Sequence, residues 1–149
     1  MEVYNGSESL NDRCKHIFSI IQANGPMTKS ELINITQIKS TTLSRDLKIL
    51  LNEKIIVESD IGESTGGRKP GLYDVNQEGF YIIGIDISRI YTKIVITNLK
   101  LKIIKERLLS HEYDIETISE IIPGCIRELC IKLQIKKSSI VGIGIGIVG

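Results

Sequence analysis

The chain has 149 residues, 42% apolar and 25% charged, with a formal net charge of +1. That length holds one good-sized domain or two small ones, and the near-neutral balance excludes a polycation that would hold nucleic acid by bulk charge. No apolar run reaches the roughly 18 residues of a membrane span, and no charged-then-apolar leader opens the chain, so a cytoplasmic protein with no membrane partner is expected.

The first predicted helix runs from Leu10 to Asn24, with Leu10, Cys14, Ile17, Phe18 and Ile21 on one face. Gly25-Pro26 stops it. Thr28-Lys-Ser-Glu31 then has the spacing of a capping box, in which Thr28 and Glu31 satisfy free backbone donors at a helix start. This second helix is short, from Lys29 to Ile35. A brief turn through Thr36–Lys39 leads into a third helix within Lys39–Lys54. There Leu43, Leu47 and Leu50 fall on one face, while Thr41, Arg45, Lys48 and Asn52 fall on the other. Two strands follow, Ile55–Ile61 and Gly71–Val75. Between them, Gly62-Glu-Ser-Thr-Gly-Gly-Arg-Lys-Pro70 makes a loop with adjacent cations near its end.

Helix, helix-turn-helix and a two-stranded hairpin form the winged helix-turn-helix layout over residues 1–76. Residues 1–71 balance nine Lys/Arg against nine Asp/Glu, but Lys39, Arg45, Lys48, Lys54, Arg68 and Lys69 concentrate in the reading segment. Local patches of this kind set a footprint on double-stranded DNA. Thr41, Thr42, Arg45 and Lys48 are expected nearest the bases of a major groove. Ser40 and Ser44 either hold phosphates or cap the helix. Arg68 and Lys69 are expected in an adjacent minor groove, where a narrow A·T-rich stretch attracts Arg. A homodimer is expected, because one module contacts few bases and operators mirror two-fold symmetry. The competing reading is a three-helix domain whose polar face is merely wet. It leaves the capping box, the hydroxyl-rich helix start and the basic hairpin as coincidences. A winged helix used to bind another protein is a further alternative that the cations disfavour.

Beyond a boundary near Asn76–Gly79 the pattern changes. Phe80–Ile87 is a nearly continuous apolar run ending in an acid, as in a strand buried on both faces. Tyr91–Asn98 and Leu101–Leu109 read as two more strands. A helix from Asp114 to Leu133 carries Ile115, Ile118, Ile122, Ile126, Leu129 and Leu133 on its apolar side, and Pro123-Gly124 is expected to kink or split it. Ser139–Gly149 is a glycine-rich strand. The order is β-β-β-α-β, a meander with a crossover helix returning to the sheet.

Gly66-Gly-Arg-Lys-Pro-Gly-Leu-Tyr73, then Gly84-Ile-Asp-Ile87, then Val141-Gly-Ile-Gly-Ile-Gly-Ile-Val-Gly149 together resemble the start of a ROK-family transcriptional repressor. The resemblance covers nearly the whole chain. It implies a winged-helix reader, an α+β unit, joined over residues 77–149 to the N-terminal part of an α/β sugar-kinase-like domain. That domain has the actin/hexokinase (ribonuclease H-like) type of fold and would be incomplete here. It also implies a repressor of carbohydrate-related genes, with a sugar effector only if a longer chain or a further lobe exists.

The departures bear on chemistry. Kinases resembling this family end the first strand in Asp-x-Gly-Gly-Thr, whose glycines admit phosphate. Here the run is Asp86-Ile-Ser-Arg-Ile90, and Val148 stands where the family usually has Pro. The family's catalytic aspartate segment and zinc site would lie beyond Gly149. No catalytic residue, metal ligand or cofactor is therefore expected, and Asp86 reads as a structural acid. The rival reading is a sugar-kinase-like enzyme fragment with an appended winged helix, in which Asp86 would serve phosphate chemistry. His16 and His111 have no catalytic neighbours in sequence. Cys14, Cys125 and Cys130 are expected reduced and buried. The glycine alternation at Gly142, Gly144 and Gly146 lacks the Lys-Ser/Thr and the helix of a phosphate loop. The last strand reads as one for the middle of a sheet. Residues 80–149 are accordingly expected to be marginal alone, whereas residues 1–76 are expected to fold autonomously.

Overall fold

The computed structural model describes residues 10–60, 71–110 and 115–147. The protein is a mixed α/β chain of two compact units that meet in sequence between Gln77 and Glu78. Its elements in order are α1 (Asp12–Asn24), β1 (Met27–Thr28), α2 (Lys29–Thr36), α3 (Ser40–Asn52), β2 (Ile56–Asp60), β3 (Gly71–Val75), β4 (Tyr81–Ile87), β5 (Tyr91–Asn98), β6 (Ile103–Ser110), α4 (Ile115–Lys132) and β7 (Ile140–Ile147).

In the first unit the three helices start and stop where local chemistry directs. Asn11 caps α1 by accepting from the Cys14 N–H at 2.9 Å, and Gly25 closes it at φ 82°, a backbone region that glycine enters without strain. Thr28 and Glu31 form the expected capping box. The Glu31 N–H donates to Thr28 Oγ1 at 3.2 Å, and the Thr28 N–H donates to Glu31 Oε2 at 2.7 Å. These bonds hold the Glu31 carboxyl below the usual carboxylate range. Gln37, left-handed at φ 56°, ends α2 and turns the chain into α3. Cys14, Ile17 and Ile21 of α1, Leu32 of α2, and Leu43, Leu47 and Leu50 of α3 fill the core with Met27, Ile56 and Val75.

Two features of this unit were not anticipated. The sheet has three strands, in the order β1-β3-β2, because Met27 and Thr28 pair with Tyr73 and Leu72. Two residues are too few to show an alternating pattern. Asp46 is fully buried on the inner face of α3, beside Leu43, Leu47 and Leu50. Its Oδ1 accepts from Arg13 Nη2 at 3.0 Å and its Oδ2 from Arg13 Nε, a two-toothed grip that ties α1 to α3. The carboxylate in turn raises the Arg13 pKa further, chiefly through these hydrogen bonds.

In the second unit, β4, β5 and β6 form an antiparallel meander, and β7 returns through α4 to pair parallel with β4, giving the order β6-β5-β4-β7. This is the β-β-β-α-β order that the sequence implies. Ile83, Ile85, Ile94 and Ile96 of the sheet pack against Ile118, Ile122, Cys125 and Leu129 of α4. Gly84 lies where β4 and β5 approach closely: a methyl there would stand 2.8 Å from Val95 Cγ2.

Several expectations are corrected. Strand β4 is buried on one face only, since Ile83 and Ile85 are covered while Ile82, Gly84 and Asp86 are half-exposed. Helix α4 runs through Pro123 unbroken. Buried residues on both sides of the proline pin it to the sheet, and that packing outweighs a lost bond of about 3 kcal/mol. Cys130 is half-buried rather than buried. Apart from these corrections, β7 pairs with β4 among the described strands and leaves the expected apolar face at Ile143, Ile145 and Ile147 exposed, while α4 covers the sheet over β4 and β5.

Two outcomes follow from the ion pairs. Arg13→Met leaves the Asp46 carboxylate sealed from water without a counter-charge, whereas Asp46→Leu removes the buried charge and leaves a guanidinium that still reaches solvent. Arg13→Met is therefore expected to lower the urea midpoint more than Asp46→Leu. The reverse order would place the value of position 46 in its packing.

In the second unit, Lys132 at 2.8 Å and Arg107 at 2.5 Å hold the Glu128 carboxyl down at about 2, below its ordinary 4.5. A depressed pKa stabilises fully above the ordinary value, and that contribution is lost as pH falls from 4.5 toward 2. All three groups are solvent-exposed, so the contribution is modest. Glu128→Gln is expected to flatten the acid limb of stability in this window, measured by thermal melts at stepped pH. An unchanged limb would remove Glu128 from acid unfolding.

Candidate nucleic-acid interface

Helix α3 buries Leu43, Asp46, Leu47 and Leu50 and turns its other side to water. Ser40, Thr41, Ser44, Arg45, Lys48 and Asn52 are exposed, and Thr42 is half-buried at the margin. The structure thus brings Thr41, Arg45 and Lys48 onto one open face along a 13-residue helix. Neither Arg45 nor Lys48 makes an ion pair among the described residues. Their charges are available to an outside acceptor.

The start of α3 has its own geometry. Lys39 is the N-cap residue, and it makes no side-chain capping bond. The Ser44 hydroxyl donates to the Ser40 carbonyl at 3.0 Å, back along the helix. Neither serine therefore caps the helix, which corrects that half of the expectation. Arg68 and Lys69 lie outside the described residues, as does the whole loop between β2 and β3. The register from Ile56↔Val75 to Asp60↔Gly71 fixes the two strands from which that loop springs.

Sequence reasoning missed the residues that hold the face in place. Arg13 and Asp46 lie 33 positions apart, and Cys14 Sγ lies 4.0 Å from the Asp46 carbonyl as a weak donor. The signal was half present. Asp46 sits three residues after Leu43, on the apolar side of the helical wheel.

The expected structural acid of the second unit has its own partners. Asp86 Oδ2 accepts from the Tyr91 hydroxyl at 3.3 Å. The residues standing where kinases place glycines build a closed turn. Ser88 Oγ accepts from the Tyr91 N–H at 3.1 Å and donates to the Tyr91 carbonyl at 3.0 Å, while Arg89 and Ile90 project to solvent. His16 is exposed on α1, and His111 lies outside the described residues. Among the described residues no group of three or more His, Cys, Asp or Glu could hold a metal ion, and no helix is long and apolar enough to cross a membrane.

No family model matches the chain. A xylose repressor of Bacillus spizizenii is 27% identical over 136 residues, which is 91% of this chain and 35% of that protein. A putative xylose repressor of a Caldicellulosiruptor species is 30% identical over 125 residues, 83% of this chain and 31% of that protein. Among solved structures, a ROK-family transcriptional regulator described as a homologue of the E. coli MLC protein matches with a TM-score of 0.68 and 17% identity. The match covers 92% of this chain and 35% of that one. The chain spans about a third of the length of the curated relatives it matches. Along nearly its whole length the chain is thus similar in sequence to about a third of these xylose repressors, and similar in fold to about a third of the ROK-family regulator.

Proposed function

We propose that this chain reads duplex DNA as part of a transcriptional repressor of carbohydrate-related genes. One observation carries the reading: Thr41, Arg45 and Lys48 share an open helix face whose opposite side is locked into the core. Such a face offers a bidentate cation for guanine, a hydroxyl that suits any base edge, and a point charge for phosphate. Residues 1–76 act as a winged helix-turn-helix. Helix α3 enters the major groove, with Thr41, Thr42, Arg45 and Lys48 nearest the bases and with Ser40 and Ser44 at the backbone. The hairpin of β2 and β3 forms the wing, which brings Arg68 and Lys69 to the minor groove. The reader acts as a homodimer on a two-fold operator. Residues 77–149 form the opening part of an actin/hexokinase-like domain. Relatives named xylose repressors support carbohydrate genes as the regulated set, with a sugar as the effector of the longer protein.

Selection from fragmented genomic DNA is expected to enrich one sequence. On that site Arg45→Ala should cost about 1–3 kcal/mol of affinity, and binding should weaken steeply as salt rises. Recovery of no enriched sequence, with binding indifferent to salt, would refute the reading.

The kinase alternative is disfavoured by the closed Ser88 turn, which offers no bare glycine backbone to a phosphate. With ATP and a panel of hexoses and pentoses, turnover is expected to stay at the blank level. Turnover that vanishes in Asp86→Asn would promote the enzyme reading instead.

A further inference from the structure

We propose that the second unit carries its own contact surface for the phosphate backbone of duplex DNA, built from the lysines at one end of its sheet. This rests on the reading of the chain as a DNA-binding protein. The strand register defines the end in question. Tyr81 of β4 pairs with Asn98 of β5 and with Ile140 of β7, and Thr97 of β5 pairs with Ile103 of β6. The starts of β4, β6 and β7 and the finish of β5 therefore lie together, at the end where the chain enters the unit after Glu78.

Two lysine pairs occupy this end. Lys100 and Lys102 lie in the β5–β6 turn, and Lys136 and Lys137 lie between α4 and β7. The first turn is rigidly shaped. Asn98 Oδ1 accepts from the Lys100 and Lys102 N–H groups, both at 3.0 Å, and Leu101 is left-handed at φ 60°. Lys136 is the N-cap residue of the short 3-10 turn Lys137–Ser139. Lys102, Lys136 and Lys137 are exposed, and none makes an ion pair among the described residues. Asp86 and Arg89 lie at the opposite end, where β4 finishes.

Strands β6 and β7 are the two edges of a four-stranded sheet. Three strand spacings of ~4.8 Å set the two edge strands, which the lysine pairs precede, roughly 14 Å apart. That separation is close to the major groove's width of about 12 Å, so the pairs suit phosphates on its two sides. A lysine ammonium is a point charge that neutralises phosphate without reading bases. Tethered to a sequence reader, such a surface adds affinity by proximity alone.

The test uses the full chain, with affinity measured against salt on its preferred duplex and on a scrambled one. Lys102→Gln/Lys136→Gln/Lys137→Gln is expected to reduce the slope of log affinity against log salt by about 2–3 on both duplexes. The ratio between the duplexes should not change. Arg89→Gln, at the other end of the sheet, should leave the slope intact. A reduction of less than about one unit overturns the proposal. If the native chain prefers its site and the triple variant keeps the full slope, this inference alone fails. If the native chain shows neither preference nor salt dependence, the DNA reading itself fails.

Discussion

The first unit turns on a carboxylate that water cannot reach. Asp46 has no exposure, and Arg13 meets it with two nitrogens. A buried charge is tolerated only when paired and hydrogen-bonded, and this pairing admits one relative placement of α1 and α3. Leucines alone would hold the helices together but would allow them to slide or roll. The ion pair gives the contact a register. Everything on the outer side of α3 inherits it, because a helix rotated by one residue would turn Arg45 about 100° away. Stability of the core and aim of the outer face are thus properties of one interaction.

The second unit is organised differently. Its core is an isoleucine layer between one sheet face and α4, with no buried ion pair among the described residues. Direction comes from shape. Gly84 lets β5 close on β4, and the Ser88 turn sets the next strand by side-chain bonds to the backbone. The exposed tie among Arg107, Glu128 and Lys132 links α4 to β6. Among the described residues one helix covers the sheet, and the positions it leaves open follow from how far it reaches.

Much of this architecture is legible in the residues because it is local. Leucines at helical spacing mark the buried side of α3, Thr28 and Glu31 mark the start of α2, and apolar runs mark the strands of the meander. What sequence could not supply is non-local or too short. Strand β1 has two residues, and a pairing with Tyr73 and Leu72 leaves no periodic trace. Asp46 stood on the apolar side of its helix, but its partner lies in another helix. Pro123 argued for a break, and tertiary packing overrode it. For the candidate site, exposure of Thr41, Arg45 and Lys48 follows from the helical period. The half-buried Thr42 and the absence of a serine cap are details of local geometry that no period encodes.

The parallel pairing of β7 with β4 also sets an order of assembly. Strands β4, β5 and β6 are joined by short turns and can zip as a local meander. Tyr81 and Ile140 are about sixty positions apart, so their pairing must wait for a large loop to close. That loop contains α4, whose apolar face has to find the sheet before β7 can be delivered. Of the four described strands, β7 is therefore the last acquired and the first to open. Its amide protons should exchange ahead of those in β4 and β5, giving the sheet a gradient of protection from one edge to its centre.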